Sequence, residues 1–223
     1  MDKYPTNTVL DSVLEGGFET GIINQIYGEA GAGKTNIVLV FLREVIKRND
    51  WAILINTEPF NMNRLAQIFG NEYSMKNLLI SEPKTMNELL ESLEYAKKAI
   101  EKNEQIKSLV VDSITILYRK SYDEETQRMD IDALSKQMQI IREISHIRDV
   151  CVIVTNQVHY NPNTKTEEPL GGMVLSNFSK AIYKVERVSN YSEERKFTVI
   201  KSRNLKINSY VLFRITANGI VEK

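Results

Sequence analysis

An eight-residue stretch, Gly28-Glu29-Ala30-Gly31-Ala32-Gly33-Lys34-Thr35, lies between an apolar run from Ile22 to Tyr27 and a helix-forming run that begins at Asn36. It satisfies every fixed position of the phosphate-loop pattern G-x-x-x-x-G-K-[ST]. Three glycines and two alanines leave few side chains in the way, so consecutive backbone N–H groups can turn inward around a chain of phosphates. Lys34 then supplies a point charge at the β- and γ-phosphates, and the Thr35 hydroxyl supplies a ligand for a Mg²⁺ that bridges them. The helix that follows points its positive end at the same anion. A glycine-rich turn with a chance Lys-Thr after it is the competing reading, and the strand–loop–helix context argues against it. The expected ligands are ATP and Mg²⁺.

The rest of the chain alternates in the way a doubly wound sheet requires. Near-continuous apolar runs at Ala52–Asn56, Leu78–Ile80, Leu109–Asp112 and Val150–Val154 read as strands covered on both faces. Helical spacing appears from Asn36 to Ile46, Asn61 to Phe69, Met86 to Lys102 and Ile131 to Arg148. Strands alternating with helices predict an α/β fold, a mostly parallel twisted sheet with helices on both faces. From Ala181 the pattern changes: Tyr183–Val188, Phe197–Lys201 and Tyr210–Ile215 are strand-like runs with no helix between them, so a C-terminal antiparallel extension is expected. No Pro/Ser/Gly-rich linker divides the 223 residues, and 1–223 reads as one domain.

Charge and cysteine usage narrow the setting. Lysine plus arginine equals aspartate plus glutamate at 29 each, so no global field draws the chain to nucleic acid or anionic membrane, and any such binding must be local. The single cysteine, Cys151, sits in an apolar run without a disulfide partner, and no run approaches the about 18 apolar residues of a membrane span. A reducing, cytoplasmic protein with no membrane partner is the expectation.

In such sheets functional groups gather at the carboxyl ends of the strands. Four ends carry polar residues directly after an apolar run: the phosphate loop, Glu58, Asp112 and Asn156-Gln157. Asp112, after Leu-Val-Val, has the position of a carboxylate that orients Mg²⁺. Glu58 is the candidate general base for an in-line water, with a surface acid before Pro59 as the alternative. Gln157 either senses the γ-phosphate or begins a polar loop.

The order of the phosphate loop, Ile55-Asn56-Thr57-Glu58, Val111-Asp112-Ser113, Leu117-Tyr118-Arg119, Val154-Thr155-Asn156-Gln157-Val158 and Gly171-Gly172 resembles the ATPase core of RecA-like recombinases, most of all their short archaeal paralogues. The resemblance implies a RecA-like P-loop NTPase fold, with Glu58 as the catalytic glutamate and Asp112 as the Mg²⁺-associated aspartate. It implies that Arg64 stacks on adenine, where the alternative is a solvated helix face. It sets the first DNA-binding loop at Tyr118–Asp130 and the second at Asn156–Gly172. Lys201 and Arg203 resemble a pair that some RecA-like ATPases extend to a neighbouring subunit's γ-phosphate; the alternative is two basic residues on an exposed strand. It further implies a weak ATPase that binds single-stranded or branched DNA and assists recombination and repair without strand exchange of its own; a homo-oligomer, dimer or filament, stays open beside a monomer. The partners it implies are a RadA-type recombinase and an Hjc-type Holliday junction resolvase.

Departures from that family are as informative. The chain reads as lacking the N-terminal helical DNA-binding domain of full recombinases and their Phe-x-x-Ala polymerisation segment. In the first loop Arg119, Lys120 and Arg128 face Asp123, Glu124, Glu125 and Asp130, a poor match to a phosphate backbone. From Lys180 to Lys223, by contrast, ten basic residues stand against four acidic ones, with Tyr183, Tyr191, Phe197 and Tyr210 interleaved, so this tail either tracks DNA or is a solvated edge hairpin. A clock-type RecA-like ATPase related to KaiC, acting through protein contacts, is the competing function, and a nucleotide-holding module without turnover is a third.

Overall fold

Short apolar strands that must be covered on both faces can be satisfied only by layers of helix above and below them, and the chain folds accordingly. The computed structural model describes residues 2–59, 61–70, 75–117, 124–161, 166–189 and 192–222, with the side chains of 124–130 and 161 outside that description. In chain order the elements are β1 (Lys3–Tyr4), α1 (Asp11–Leu14), β2 (Phe18–Glu19), β3 (Ile23–Tyr27), α2 (Lys34–Lys47), β4 (Trp51–Asn56) and α3 (Met62–Phe69). They continue with β5 (Leu78–Ser81), α4 (Met86–Lys102), β6 (Ile106–Asp112), α5 (Glu124–His146), β7 (Cys151–Asn156), β8 (Val158–Asn161) and β9 (Thr166–Pro169). The last are α6 (Gly172–Phe178), β10 (Ala181–Arg187), β11 (Glu194–Lys201), β12 (Tyr210–Thr216) and β13 (Gly219–Glu222).

One nine-stranded sheet, in the order β13-β12-β11-β10-β3-β7-β6-β4-β5, carries the fold. Strands β10, β3, β7, β6, β4 and β5 are parallel, and β11, β12 and β13 add the antiparallel extension. The mostly parallel sheet and the antiparallel tail are as the sequence predicts. Helices α1, α2 and α3 bury Leu14, Phe41 and Phe69 on one face, and α4, α5 and α6 bury Leu93, Ile141 and Leu175 on the other. On the first face an aromatic relay runs from Tyr4 through Phe41, Phe18 and Tyr183 to Phe197, the last pair stacked at 5.0 Å. It ties the amino-terminal strands to the extension, each buried ring contributing roughly 1.5–3 kcal/mol. Among the described residues no helix is long and apolar enough to cross a membrane.

Two expectations change. Residues 118–123 of the expected first DNA loop lie outside the described residues, and from Glu124 the backbone is already helical, seven residues before the expected start at Ile131. Glu, Gln, Arg and Met are strong helix formers, and acids in a first turn suit the helix dipole, so propensity extends α5 where the apolar stripe is missing. The expected second loop contains an antiparallel pairing, β8 with β9 from Val158↔Pro169 to Asn161↔Thr166, and then α6. Within it, residues 162–165 lie outside the description.

Candidate active site

Parallel register brings the carboxyl ends of the strands level. Tyr27 pairs with Asn156, Asn56 with Asp112, and Lys184 with Tyr27, so whatever follows each strand emerges at one edge of the sheet. The phosphate loop follows β3. A Cβ on Gly28 would lie 2.0 Å from the carbonyl oxygen of Val185 on β10, which leaves no room for any other residue there. Gly33 caps α2 at φ 112°, a conformation that glycine adopts without strain.

Lys34 is the first residue of α2 and is buried. Its Nζ donates to the carbonyls of Gly28 and Glu29, both at 2.8 Å, so the ammonium lies back across its own loop. Burial pushes its pKa down, while Asp112, Glu58 and Glu29 pull it up and fail to cancel the burial. One ammonium thus faces three carboxylates.

Asp112 ends β6 and is fully buried. Its Oδ2 accepts a hydrogen bond from the Thr35 hydroxyl at 2.7 Å, and its Oδ1 accepts one from the Thr155 hydroxyl. Burial raises the carboxyl above its ordinary range, and the two hydroxyl donors oppose that rise. The peptide from Asp112 to Ser113 is cis. Next to it, the Thr57 hydroxyl accepts from the Ser113 N–H at 3.0 Å and donates to the Ser113 carbonyl at 2.6 Å, locking β4 to β6. A threonine hydroxyl and a carboxylate side by side are hard oxygen donors. Among the described residues no group of three or more His, Cys, Asp or Glu could form an all-protein cage. That donor set fits Mg²⁺, which keeps waters and phosphates and takes one or two protein oxygens.

Glu58 and Gln157 reach the same cleft from β4 and β7. The Gln157 amide donates to Glu58 Oε1 at 2.9 Å, and both residues line an opening with Gly31, Gly33, Lys34 and Thr35. The Asn56 side chain donates to the Glu58 carbonyl at 2.6 Å and fixes the backbone that carries it. Behind Gln157, the Asn156 amide donates to Leu170 O at 2.8 Å while its Oδ1 accepts from Thr115 at 2.7 Å, so the β8–β9 hairpin is tied to the floor of the cleft.

Of the other sequence candidates, Arg64 borders the cleft, while Lys201 and Arg203 lie away from it. Arg64 sits on α3 with its guanidinium bonded to Asn36 Oδ1 at 2.7 Å and to the carbonyls of Thr216 and Ala217, each at 2.8 Å. It is therefore adjacent to the cleft through Asn36, and it clamps the β12–β13 turn. Lys201 donates to the carbonyls of Ser176 and Ser179, beyond the amino end of β10, and Arg203 is exposed in the loop after β11. This pair thus lies at the end of the sheet opposite the chain's own phosphate loop. Sequence reasoning missed Thr155, whose hydroxyl contacts Asp112, and Asn36, which lines the cleft. Both are polar positions at the edge of an apolar pattern, and no local spacing marks them.

The family model described as Rad51 matches residues 5–223. The DNA repair and recombination protein RadB of Methanococcoides burtonii is 34% identical over 214 residues, covering 95% of this chain and 93% of that protein. The protein of the same description from Archaeoglobus fulgidus is 34% identical over 212 residues, covering 95% and 94%. A solved structure described as the crystal structure of the RadB recombinase matches with a TM-score of 0.83 at 26% identity, covering 99% of both chains.

Proposed function

The chain belongs to the Rad51 family, and from that premise we propose that it is an ATP- and Mg²⁺-binding, weakly hydrolysing, DNA-binding accessory factor of homologous recombination and repair. The observation that carries this reading is the convergence on one phosphate loop of Asp112, 2.7 Å from Thr35, and of Glu58, held at 2.9 Å by Gln157. Likeness to RadB over nearly the whole chain supports the recombination branch over a clock-type protein switch.

In this mechanism the loop amides and Lys34 bind the β- and γ-phosphates. Lys34 exchanges its two carbonyl contacts for phosphate oxygens and becomes easier to protonate as it does so. Thr35 and Asp112 would hold Mg²⁺, which when bound neutralises charge on the phosphate oxygens. Glu58 takes a proton from a water that attacks the γ-phosphorus, the bond to the bridging oxygen breaks, and ADP leaves. Gln157 orients Glu58 and links its position to the β8–β9 hairpin.

Weak DNA binding is what the charge pattern supports, whereas the lack of strand exchange rests on the likeness to RadB. The first-loop segment has four acids against three bases, and β9 carries Glu167 and Glu168. Within the basic tail, Lys184 pairs with Glu186 at 2.5 Å and Arg214 with Glu194 at 3.3 Å, which reduces the positive excess open to a phosphate backbone. The same likeness to RadB supports an action on a RadA-type recombinase and an Hjc-type resolvase, through a single RecA-like core whose shape follows its nucleotide. The test is a pair of variants read by ATP binding and phosphate release. Lys34→Ala is expected to abolish binding. Glu58→Gln is expected to bind normally and to lose turnover about 100-fold or more; normal hydrolysis by Glu58→Gln removes the catalytic assignment. DNA affinity that is insensitive to salt would favour the protein-switch reading instead.

A further inference from the structure

We propose that Arg187 is a second cation of the phosphate site, reaching the terminal phosphates of a bound nucleoside triphosphate from within the same chain. The proposal rests on the nucleotide reading above. It begins with register: β10 runs parallel to β3 with Lys184 opposite Tyr27, so Arg187, three residues on, comes level with the middle of the phosphate loop. Its guanidinium there donates to the Gly31 carbonyl at 3.5 Å, and a Cβ on Gly31 would lie 3.0 Å from the same nitrogen. Gly31 itself lines the cleft. A hydrogen bond of that length is weak. The guanidinium carries five N–H donors in a rigid fork suited to phosphate, and to meet the terminal phosphates it must turn inward from its place at the loop's rim.

Electrostatics supplies the second argument. Lys34 faces Asp112, Glu58 and Glu29, so the site without its metal is negative, and the triphosphate adds more of the same sign. Like charges gathered this closely repel one another, and a further cation at the rim of the loop relieves that repulsion. Arg187 is directly opposite Arg195 across β10 and β11, a like-charge pair in which each charge pushes the other away. Arg195 is held back by the carbonyls of Ser192 at 3.0 Å and Glu194 at 3.2 Å, and its Nε is buried without an acceptor among the described residues. The Glu194 carboxylate pairs with Arg214, and Glu193 is the acid facing Arg195. Repulsion from Arg195 therefore pushes the Arg187 charge toward the loop.

The experiment measures the affinities of the full chain for ATP and ADP, each with Mg²⁺, in wild type, Arg187→Ala, Arg187→Lys and Lys34→Ala, with thermal melting as a check on folding. Arg187→Ala is expected to weaken ATP about tenfold and ADP less, so that the ATP-over-ADP preference falls, with the melting point held and Arg187→Lys recovering part of the loss. An equal loss for both nucleotides would mean that Arg187 only braces the loop, and an unchanged ATP affinity would mean that it does nothing there; either overturns the proposal. Lys34→Ala separates the two levels. If it binds both nucleotides as wild type does, the nucleotide reading fails and the role of Arg187 falls with it. If it loses them while Arg187→Ala keeps its preference, only the proposal fails.

Discussion

Gly28 shows how much one position can constrain. Its α-carbon lies so close to β10 that a methyl group would sit 2.0 Å from a backbone oxygen, and no side-chain rotamer relieves a clash with main chain. Gly28→Ala is therefore expected to spread β3 from β10 and distort the loop. A stability loss of roughly 2–5 kcal/mol in urea denaturation and the loss of ATP binding should occur together; a variant that melts like wild type and binds ATP would show that the sheet gives way at this point. The loop was legible in the sequence because its chemistry is local: amides, lysine and hydroxyl are consecutive, so spacing alone specifies them. Glu58, Asp112 and Gln157 were legible one step less directly, as polar residues that end apolar runs. Thr155 and Arg187 were not. Their roles arise from pairing between β6 and β7 and between β10 and β3, contacts that no window of sequence contains.

Helix α2 carries the loop, and its far side shows how an element is held in place. Glu44 is buried there, with its carboxylate accepting from Asn7 at 2.7 Å and from Arg43 and Lys47, each at 2.9 Å. Burial alone would raise the carboxyl, but the hydrogen bonds from Asn7, Lys47 and Arg43 outweigh it and hold the pKa below the ordinary 4.5. A depressed folded-state pKa means that the stabilisation is complete above the unfolded value and fades as pH falls through the folded one. Glu44→Gln is thus expected to lose roughly 1–3 kcal/mol at neutral pH, and the gap to wild type should close as pH falls below 4.5. Denaturation curves at the two pH values check the sign, since a gap that widens in acid would contradict it. Elements with a long apolar period, such as α2 and α4, were legible in the sequence. The β8–β9 hairpin was not, because its strands carry polar residues on both sides, and neither was α6, whose Gly171-Gly172 start reads as a turn. What fixes the hairpin is the non-local bonding of Asn156 to Leu170 and Thr115.

At the scale of the molecule, the phosphate loop opens at one end of the sheet, and Lys201 and Arg203 lie toward the other. A chain built this way cannot bring that pair to its own γ-phosphate, so a catalytic role for it requires a second copy whose opposite end docks over the first copy's cleft. Lys201 is committed to the end of α6, whereas Arg203 is exposed, which makes Arg203→Ala the substitution less damaging to the fold. Mixing then distinguishes the cases. Glu58→Gln has an intact Arg203 and a disabled water-activating site; Arg203→Ala has the reverse. If the contact crosses between copies, a mixture contains interfaces that join an intact cleft to an intact arginine, and phosphate release should exceed the sum of the separate variants and rise with total protein concentration. If each chain works alone, the mixture gives the plain sum at every concentration. The near-zero net charge of the chain favours such association over mutual repulsion, so the excess should survive at moderate salt.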